Sequence, residues 1–218
     1  MTLKILYEDN HLIAVYKTAG ILAQGNETDE ESVFDLVKKH IKEKYKKPGN
    51  VFLGLVHRLD RPVSGIMVFA KTSKGASRLS EQFRNHEVKK IYHAAVLGEM
   101  ESEKGTIVSH LEKDKNKNKA FVRKFATSDA KESELSYEVI ESNGKFSLLK
   151  IRPITGRSHQ IRAQLSSIGH PIVGDVKYGA SKSLPDNSIM LSATGLVFRT
   201  ATSDELIKLE IPPMRIED

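Results

Sequence analysis

Residues 57–71 have the sequence HRLDRPVSGIMVFAK, and this stretch is the best starting point for predicting the fold. Its first half is polar and carries one carboxylate, Asp60, between Arg58 and Arg61. Its second half contains the uninterrupted apolar run of residues 66–70, which is typical of a buried β-strand. The sequence therefore predicts an acidic side chain on a loop at the end of a core strand.

The two arginines are expected to favour the charged form of Asp60, because nearby positive charge lowers the pKa of a carboxyl group. An aspartate that stays ionised suits a nucleophile or an electrostatic stabiliser, whereas a general acid needs a raised pKa. The alternative is that both arginines are solvated and that Asp60 merely caps a turn. The stretch by itself favours that alternative, and the clusters described below reverse the preference.

The composition is that of a globular protein, with 218 residues, 39% hydrophobic and 28% charged. Lys and Arg number 34 against 28 Asp and Glu, so the net charge of +6 is compatible with a polyanionic partner. The chain has no Cys, which excludes disulfides and thiolate metal sites. Because we find no signal peptide and no apolar run long enough to span a membrane, we expect a complete, cytoplasmic protein.

Hydrophobic periodicity and turn signals predict more strands than helices. The predicted strands span residues 12–16, 51–56, 65–70, 90–97, 189–198 and 206–211, with several antiparallel strands between 105 and 149. The predicted helices run from Thr28 or Asp29 to about Tyr45, from 74 to 85 and from 157 to 168. We therefore expect one α+β domain over residues 1–218, with a mixed, mostly antiparallel sheet flanked by helices and loops.

Two further polar clusters are candidates for a site. In the strand predicted from Lys90 onward, Tyr92 points away from Ile91 and His93. It is either an ordinary core residue or, beside two lysines, the aromatic wall of a cleft. The second cluster, residues 155–162 with the sequence TGRSHQIR, lies at a predicted loop-to-helix junction, where free backbone N–H groups favour anions.

On that predicted helix, Arg162 would share a face with Ser158 and His159, which precede it by four and three residues. The alternative is an exposed helix with a good N-terminus. The lysine-rich segment 113–119 is interpreted as a solvated loop tip. The scattered histidines and the absence of phosphate-binding glycine motifs give no support to a metal site, nucleotide hydrolysis or dinucleotide chemistry, so we predict no metal and no cofactor.

Taken together and in this order, the clusters resemble the RluA family of RNA pseudouridine synthases. Residues 57–71 resemble its signature H-R-L-D-x-x-T-S-G, followed by an apolar strand and A-K. Residues 90–98 resemble K-x-Y-x-A-x-V-x-G, and residues 154–179 resemble T-G-R-x-H-Q-I-R followed by G-x-P-I-x-G-D-x-x-Y-G. Residues 9–15 resemble the opening strand of the family, so the similarity spans nearly the whole chain.

The resemblance implies that Asp60 is the catalytic nucleophile, Tyr92 the active-site tyrosine, and Arg162 the partner that keeps the aspartate ionised. The residues that we expect to bind RNA are Arg58, Arg157, His159 and Gln160. The implied reaction isomerises a flipped-out uridine of ribosomal or transfer RNA to pseudouridine without a cofactor. We expect a monomer that binds ribosomal or transfer RNA and does not associate with a membrane.

Three positions depart from the family pattern: Val63 replaces the usual Thr, Thr18 the usual Pro, and Ser192 a frequent His. None of them is one of the three implied catalytic residues, so the departures concern substrate detail. Many family members carry an N-terminal S4 RNA-binding domain. We expect this chain to lack one, because it begins directly with the catalytic domain.

Two other functions remain to be weighed against this interpretation. A retaining glycosidase also uses an Asp nucleophile but needs a second carboxylic acid about 5 Å away. No second acid accompanies Asp60 within its motif. A non-catalytic RNA-binding module on the same scaffold would be expected to have lost Asp60, Tyr92 or Arg162, and all three are present.

Overall fold

A computed structural model describes residues 3–25, 30–123 and 125–215 of the chain. Its contacts divide the chain into two compact units. The first unit comprises Met1–Lys89 and Ala193–Ile211, and the second comprises Lys90–Ser192 and Pro212–Asp218.

The described residues form eleven strands, three α-helices and one short 3-10 helix. In chain order they are β1 (Lys4–Glu8), β2 (Leu12–Lys17), α1 (Val33–Lys44), β3 (Gly54–Leu55), β4 (Ser64–Ala70), α2 (Ser73–Arg84), β5 (Lys89–Leu97), β6 (Lys104–Asp114), β7 (Lys119–Arg123), β8 (Lys131–Ser142), β9 (Phe146–Pro153), α3 (Gln160–Ser167), the 3-10 helix (Val176–Tyr178), β10 (Leu191–Arg199) and β11 (Leu206–Glu210). None of the helices in these residues is long and apolar enough to cross a membrane.

The first unit is built around β4, the apolar strand predicted from the sequence. Its strands lie in the order β1-β2-β4-β10, with β3 also paired to β4 and β11 to β10. β2 and β4 are antiparallel, with Leu12 opposite Ala70 and Lys17 opposite Gly65. Every residue from 65 to 70 is buried, because the strand has covered faces as well as paired edges.

Gly65 permits a close approach of two strands in this unit. Its φ of +129° is rarely adopted by residues with a side chain, and a Cβ atom there would collide with the backbone of Ala193 in β10. The glycine of the motif is therefore a requirement of packing at the start of β4.

The second unit is an antiparallel sheet covered by α3. Its strands lie in the order β5-β9-β8-β6-β7. Leu111 of β6 and Ala120 of β7 pack with Ala163 of α3 and Tyr178, and all four are buried. The lysine-rich segment forms the β6–β7 hairpin, and its tip, residues 115–118, is exposed as predicted.

The predicted α+β class and the mostly antiparallel pairing are confirmed, whereas the single domain over residues 1–218 stays a prediction. Strand β1 was not predicted from the sequence. The predicted strand 51–56 is wrong except at Gly54–Leu55, because β2 pairs along β4 from residue 65 to residue 70 and β10 is its other neighbour.

Two helices begin later than predicted. The described helix α1 begins at Val33 with Ser32 as its N-cap, in a capping box with Asp35. The proposed caps Thr28 and Asp29 lie outside the described residues. Helix α3 begins at Gln160 rather than at Arg157, because the intervening residues form a turn described below.

Glu8 joins β1 to α1 and to the end of β4. Its carboxylate lies 2.7 Å from the ammonium groups of both Lys44 and Lys71, and it accepts a 2.8 Å hydrogen bond from the Tyr45 hydroxyl. His40 lies 3.3 Å away. Burial alone would raise the pKa of Glu8, but these hydrogen bonds lower it to about 2.

This cluster predicts a loss of stability in acid. The unfolded carboxyl group has its ordinary pKa of 4.5, so the unfolded state binds more protons as the pH falls from about 4.5 to 2, and the free energy of unfolding decreases. We expect Glu8→Gln to lose about 2 kcal/mol at pH 7 and to lack this part of the acid dependence. Urea unfolding between pH 2 and 7 tests this, with the exposed Glu43→Gln as control. Parallel acid curves for Glu8→Gln and the native chain would contradict it.

Candidate active site

The loop that carries Asp60, residues 56–63 between β3 and β4, is anchored on both sides of the carboxylate. On one side, His57 Nε2 accepts a 3.0 Å hydrogen bond from the Val68 N–H, and the ring stacks on Phe83 with centroids 4.9 Å apart. Neutral His57 therefore carries its proton on Nδ1. On the other side, the Val63 N–H donates to the Asp60 carbonyl oxygen at 3.0 Å and closes a tight turn.

A fully buried lysine organises this loop. Lys17 Nζ donates to the carbonyl oxygens of Val63 at 2.7 Å and of Arg61 and Thr18 at 3.1 Å each. Burial lowers the pKa of Lys17 to about 8, and the nearby Asp60 carboxylate partly offsets this effect. Lys17 was missed as a site residue. Its signal was a single cation at the end of the apolar run LIAVYK.

The two arginines beside Asp60 are both exposed, which agrees with the alternative of solvated arginines. Arg61 donates from Nε to the Gly20 carbonyl oxygen at 2.9 Å and forms a 3.0 Å ion pair with Glu30. Arg58 is exposed. Within the first unit, the cation that lies buried near Asp60 is therefore Lys17 rather than a flanking arginine.

In the second unit, Arg162 is buried and held in a fixed orientation. Its Nε and NH2 atoms lie 2.7 and 2.8 Å from the two carboxylate oxygens of Asp175, which is 1% exposed. Its guanidinium carbon lies 4.9 Å from the centre of the Tyr178 ring. The bidentate ion pair with Asp175 and the contact with the Tyr178 ring leave the Arg162 side chain little rotational freedom.

Besides Arg162, Tyr178 contacts Ala120, His159 and Lys119. Its hydroxyl oxygen accepts a 2.8 Å hydrogen bond from the Ala120 N–H and lies 2.8 Å from His159 Nδ1. In this contact either the tyrosine hydroxyl or the His159 Nδ1–H is the donor, depending on the tautomer of the histidine. Lys119 Nζ lies 5.0 Å from the same ring.

Gln160 has its side-chain amide engaged within the protein. Its Oε1 accepts from the Arg157 N–H at 3.0 Å and from the Thr155 hydroxyl at 2.8 Å, while Nε2 donates to the Glu134 carbonyl oxygen at 3.0 Å. These bonds hold the turn before α3. Arg157 is exposed, with Nε 3.2 Å from the Glu132 carbonyl oxygen. Contacts of Gln160 and Arg157 with RNA stay predictions.

Two expectations about this region are wrong. Ser158 and His159 precede α3, and His159 is its N-cap in the left-handed conformation, so they do not share a helical face with Arg162. His159 and Arg162 nevertheless both contact Tyr178. The exposed-helix alternative also fails, because residues 160–165 of α3 are buried.

Tyr92 lies in β5, as predicted, opposite Ile151 of β9, and its side chain is half-buried. Burial and Lys150 lower the pKa of its neighbour His93. Asp175 and Tyr178 were missed as site residues, although both stand in the final block of the sequence resemblance. No three His, Asp or Glu side chains in the described parts of the chain are arranged to hold a metal ion.

The buried lysine predicts a rise in stability at alkaline pH. Lys17 titrates near pH 8 in the folded chain and near its ordinary 10.5 when unfolded, so the unfolded state binds more protons between these values. The free energy of unfolding should therefore rise with pH in this window, relative to a variant without the amine. Urea unfolding of Lys17→Met from pH 7 to 10 tests this, with Lys39→Met on exposed α1 surface as control. An unchanged pH profile in Lys17→Met would refute it.

The buried ion pair predicts non-additive mutations. Asp175→Ala leaves the Arg162 guanidinium without its carboxylate and should cost about 3–5 kcal/mol. Adding Arg162→Met removes the stranded charge, so the double variant should lose clearly less than the sum of the two single variants. Denaturant unfolding of all four proteins measures the coupling. Additive losses would mean that the pair is not coupled.

Comparison with known proteins agrees with these features. The sequence profile of the RNA pseudouridylate synthase family matches residues 11–167. The chain is 31% identical over 214 residues to ribosomal large subunit pseudouridine synthase C of Vibrio parahaemolyticus, covering 95% of this chain and 65% of the relative. It is 32% identical over 215 residues to dual-specificity RNA pseudouridine synthase RluA of Vibrio vulnificus, covering 96% and 82%.

Among solved structures, human RNA pseudouridylate synthase domain containing 4 has the same fold, with a TM-score of 0.80 at 24% identity, over 97% of this chain and 89% of the human one. The profile match covers more than half of the chain, and the RluA match covers most of both proteins. The chain therefore belongs to the RNA pseudouridylate synthase family, whose members isomerise uridine to pseudouridine in RNA.

Proposed function

We propose that this chain converts specific uridines of ribosomal RNA, transfer RNA or both to pseudouridine, with Asp60 as the nucleophile. The observation that carries the proposal is the placement of Asp60 on a loop whose backbone is held by the buried Lys17 ammonium. A carboxylate on so constrained a loop is pre-positioned for attack. The name of the first relative supports ribosomal RNA, and the name of the second, which gives it dual specificity, supports more than one RNA substrate.

The proposed reaction is an isomerisation within one nucleotide. The N1–C1′ bond of the uridine breaks, the uracil turns, and C5 bonds to C1′ while the proton on C5 leaves and N1 gains one. No oxidant or acceptor group is needed. In this proposal Asp60 attacks or stabilises the sugar–base system, Arg162 contributes positive charge to the reaction, and Tyr92 packs on the base and can move a proton.

RNA binding is proposed to use positive side chains and a flipped base. The uridine must leave its stack, at a cost of about a few kcal/mol that is smallest in loops and mismatched regions. The guanidinium groups of Arg58 and Arg157 are exposed and suit phosphate contacts, and the His159 imidazole is proposed to contact the RNA as well. Binding should weaken steeply with salt. The monomeric state and the cytoplasmic location stay predictions.

Asp60→Asn tests the proposed nucleophile. The variant keeps the size of the side chain and should fold and bind RNA, but it should release at least about 1,000-fold less tritium from RNA labelled at C5 of uridine, because an amide is a very poor nucleophile at neutral pH. The exposed Asp129→Asn is the control and should retain full activity. Normal turnover by Asp60→Asn would remove Asp60 from the chemistry.

The same assay separates the alternatives. A glycosidase would release free uracil, which chromatography of the products detects, and the label would stay on the base. A non-catalytic RNA-binding module would retain RNA and release no tritium with any variant. Pseudouridine in the product, without free uracil, is the outcome that the proposal requires.

A further inference from the structure

Lys90 in β5 is a half-buried lysine that the proposed chemistry does not use. The only hydrogen-bond partner of its ammonium in the described residues is the Thr155 carbonyl oxygen, at 3.5 Å. That distance is beyond the usual range of an N–H···O hydrogen bond. No carboxylate in the described parts of the chain forms an ion pair with it, and burial lowers its pKa.

Lys17 and Lys71, which are buried, have much fuller sets of partners. Lys17 donates to three carbonyl oxygens within 3.1 Å. Lys71 lies 2.7 Å from the Glu8 carboxylate and from the Asp9 carbonyl oxygen. An ammonium has three donors, and a desolvated charge without acceptors is unfavourable. Lys90 therefore has donor capacity that the protein itself leaves unused.

The position of Lys90 indicates which kind of ligand could accept hydrogen bonds from its ammonium. Side chains two apart in a strand lie on one face about 7 Å apart, so Lys90 shares a face of β5 with Tyr92. A Cβ atom at Gly156 would lie 3.5 Å from the Lys90 ammonium, so the glycine leaves that side of Nζ uncovered. The exposed Arg157 follows in the same loop. An anion at this place would meet the ammonium beside the candidate active-site tyrosine.

We propose that the Lys90 ammonium binds a phosphodiester oxygen of the RNA at or next to the target uridine. The proposal rests on the proposed function for its substrate. A phosphate supplies the acceptors that Lys90 lacks, and lysine binds phosphate as a compact point charge. The contact holds the backbone of the flipped nucleotide while the base faces Tyr92. Lys90 is thus a positioning residue that acts on substrate binding rather than on bond breaking.

The test compares Lys90→Met with Lys89→Met, its exposed neighbour on the other face of β5. Each variant removes one positive charge, so a general electrostatic effect is matched. Filter binding to tritium-labelled RNA at several KCl concentrations gives Kd, and single-turnover tritium release at saturating RNA gives the rate of chemistry. A circular-dichroism unfolding curve checks each fold. If Lys90→Met fails to fold, Lys90→Gln replaces it.

We expect Lys90→Met to raise Kd about tenfold, to lower the slope of log Kd against log salt by about one, and to change the saturated rate less than threefold. Lys89→Met should stay within twofold of the native chain. Lys90→Arg, which keeps the charge but cannot exchange a proton near neutral pH, should restore binding to within threefold.

Two results would overturn the proposal. Equal Kd values for Lys90→Met and Lys89→Met would show that no specific phosphate contact exists. A lost saturated rate at unchanged Kd, which Lys90→Arg does not restore, would assign Lys90 to proton transfer instead. If the native chain binds RNA but makes no pseudouridine, the proposed function fails, while the Kd comparison still decides whether Lys90 contacts phosphate.

Discussion

The arrangement of the candidate nucleophile depends on one buried ammonium bonded to three backbone carbonyls. Lys17 ends β2, and its Nζ reaches across to the oxygens of Arg61 and Val63, which follow Asp60 in the chain. A carbonyl oxygen accepts from water when it is exposed and needs another donor when it is buried. The lysine therefore helps to stabilise the loop conformation that places Asp60.

In the second unit, the buried cation Arg162 has a carboxylate rather than backbone carbonyls as its partner. Arg162 is paired with and oriented by the Asp175 carboxylate, and its guanidinium lies over the Tyr178 ring. A paired guanidinium keeps its charge in a low-dielectric interior because its partner lowers the desolvation penalty. Lys17 has dipoles for partners and Arg162 has a full negative charge. The buried cations Lys17 and Arg162 are therefore held by different kinds of partner, and burial lowers the pKa of Lys17 to about 8.

Features that follow from local patterns could be predicted from the sequence, and features that depend on distant partners could not. The apolar run of β4 and the alternation around Tyr92 were enough to place both strands. The start of α3 depends on the Gln160 amide, which bonds the backbone of Glu134 across the unit as well as the preceding turn. The burial of Lys17 likewise depends on carbonyls more than forty positions away.

The Ala120 amide shows what the Tyr178 hydroxyl does for the sheet as a whole. β7 is the outermost strand of its sheet, and the Ala120 N–H points to the tyrosine instead of to a neighbouring strand. Unpaired N–H groups on an outermost strand invite association with strands of other molecules. The phenol therefore occupies one N–H group of this edge, and the exchange of that amide with deuterium reports when the tyrosine leaves its place over the arginine.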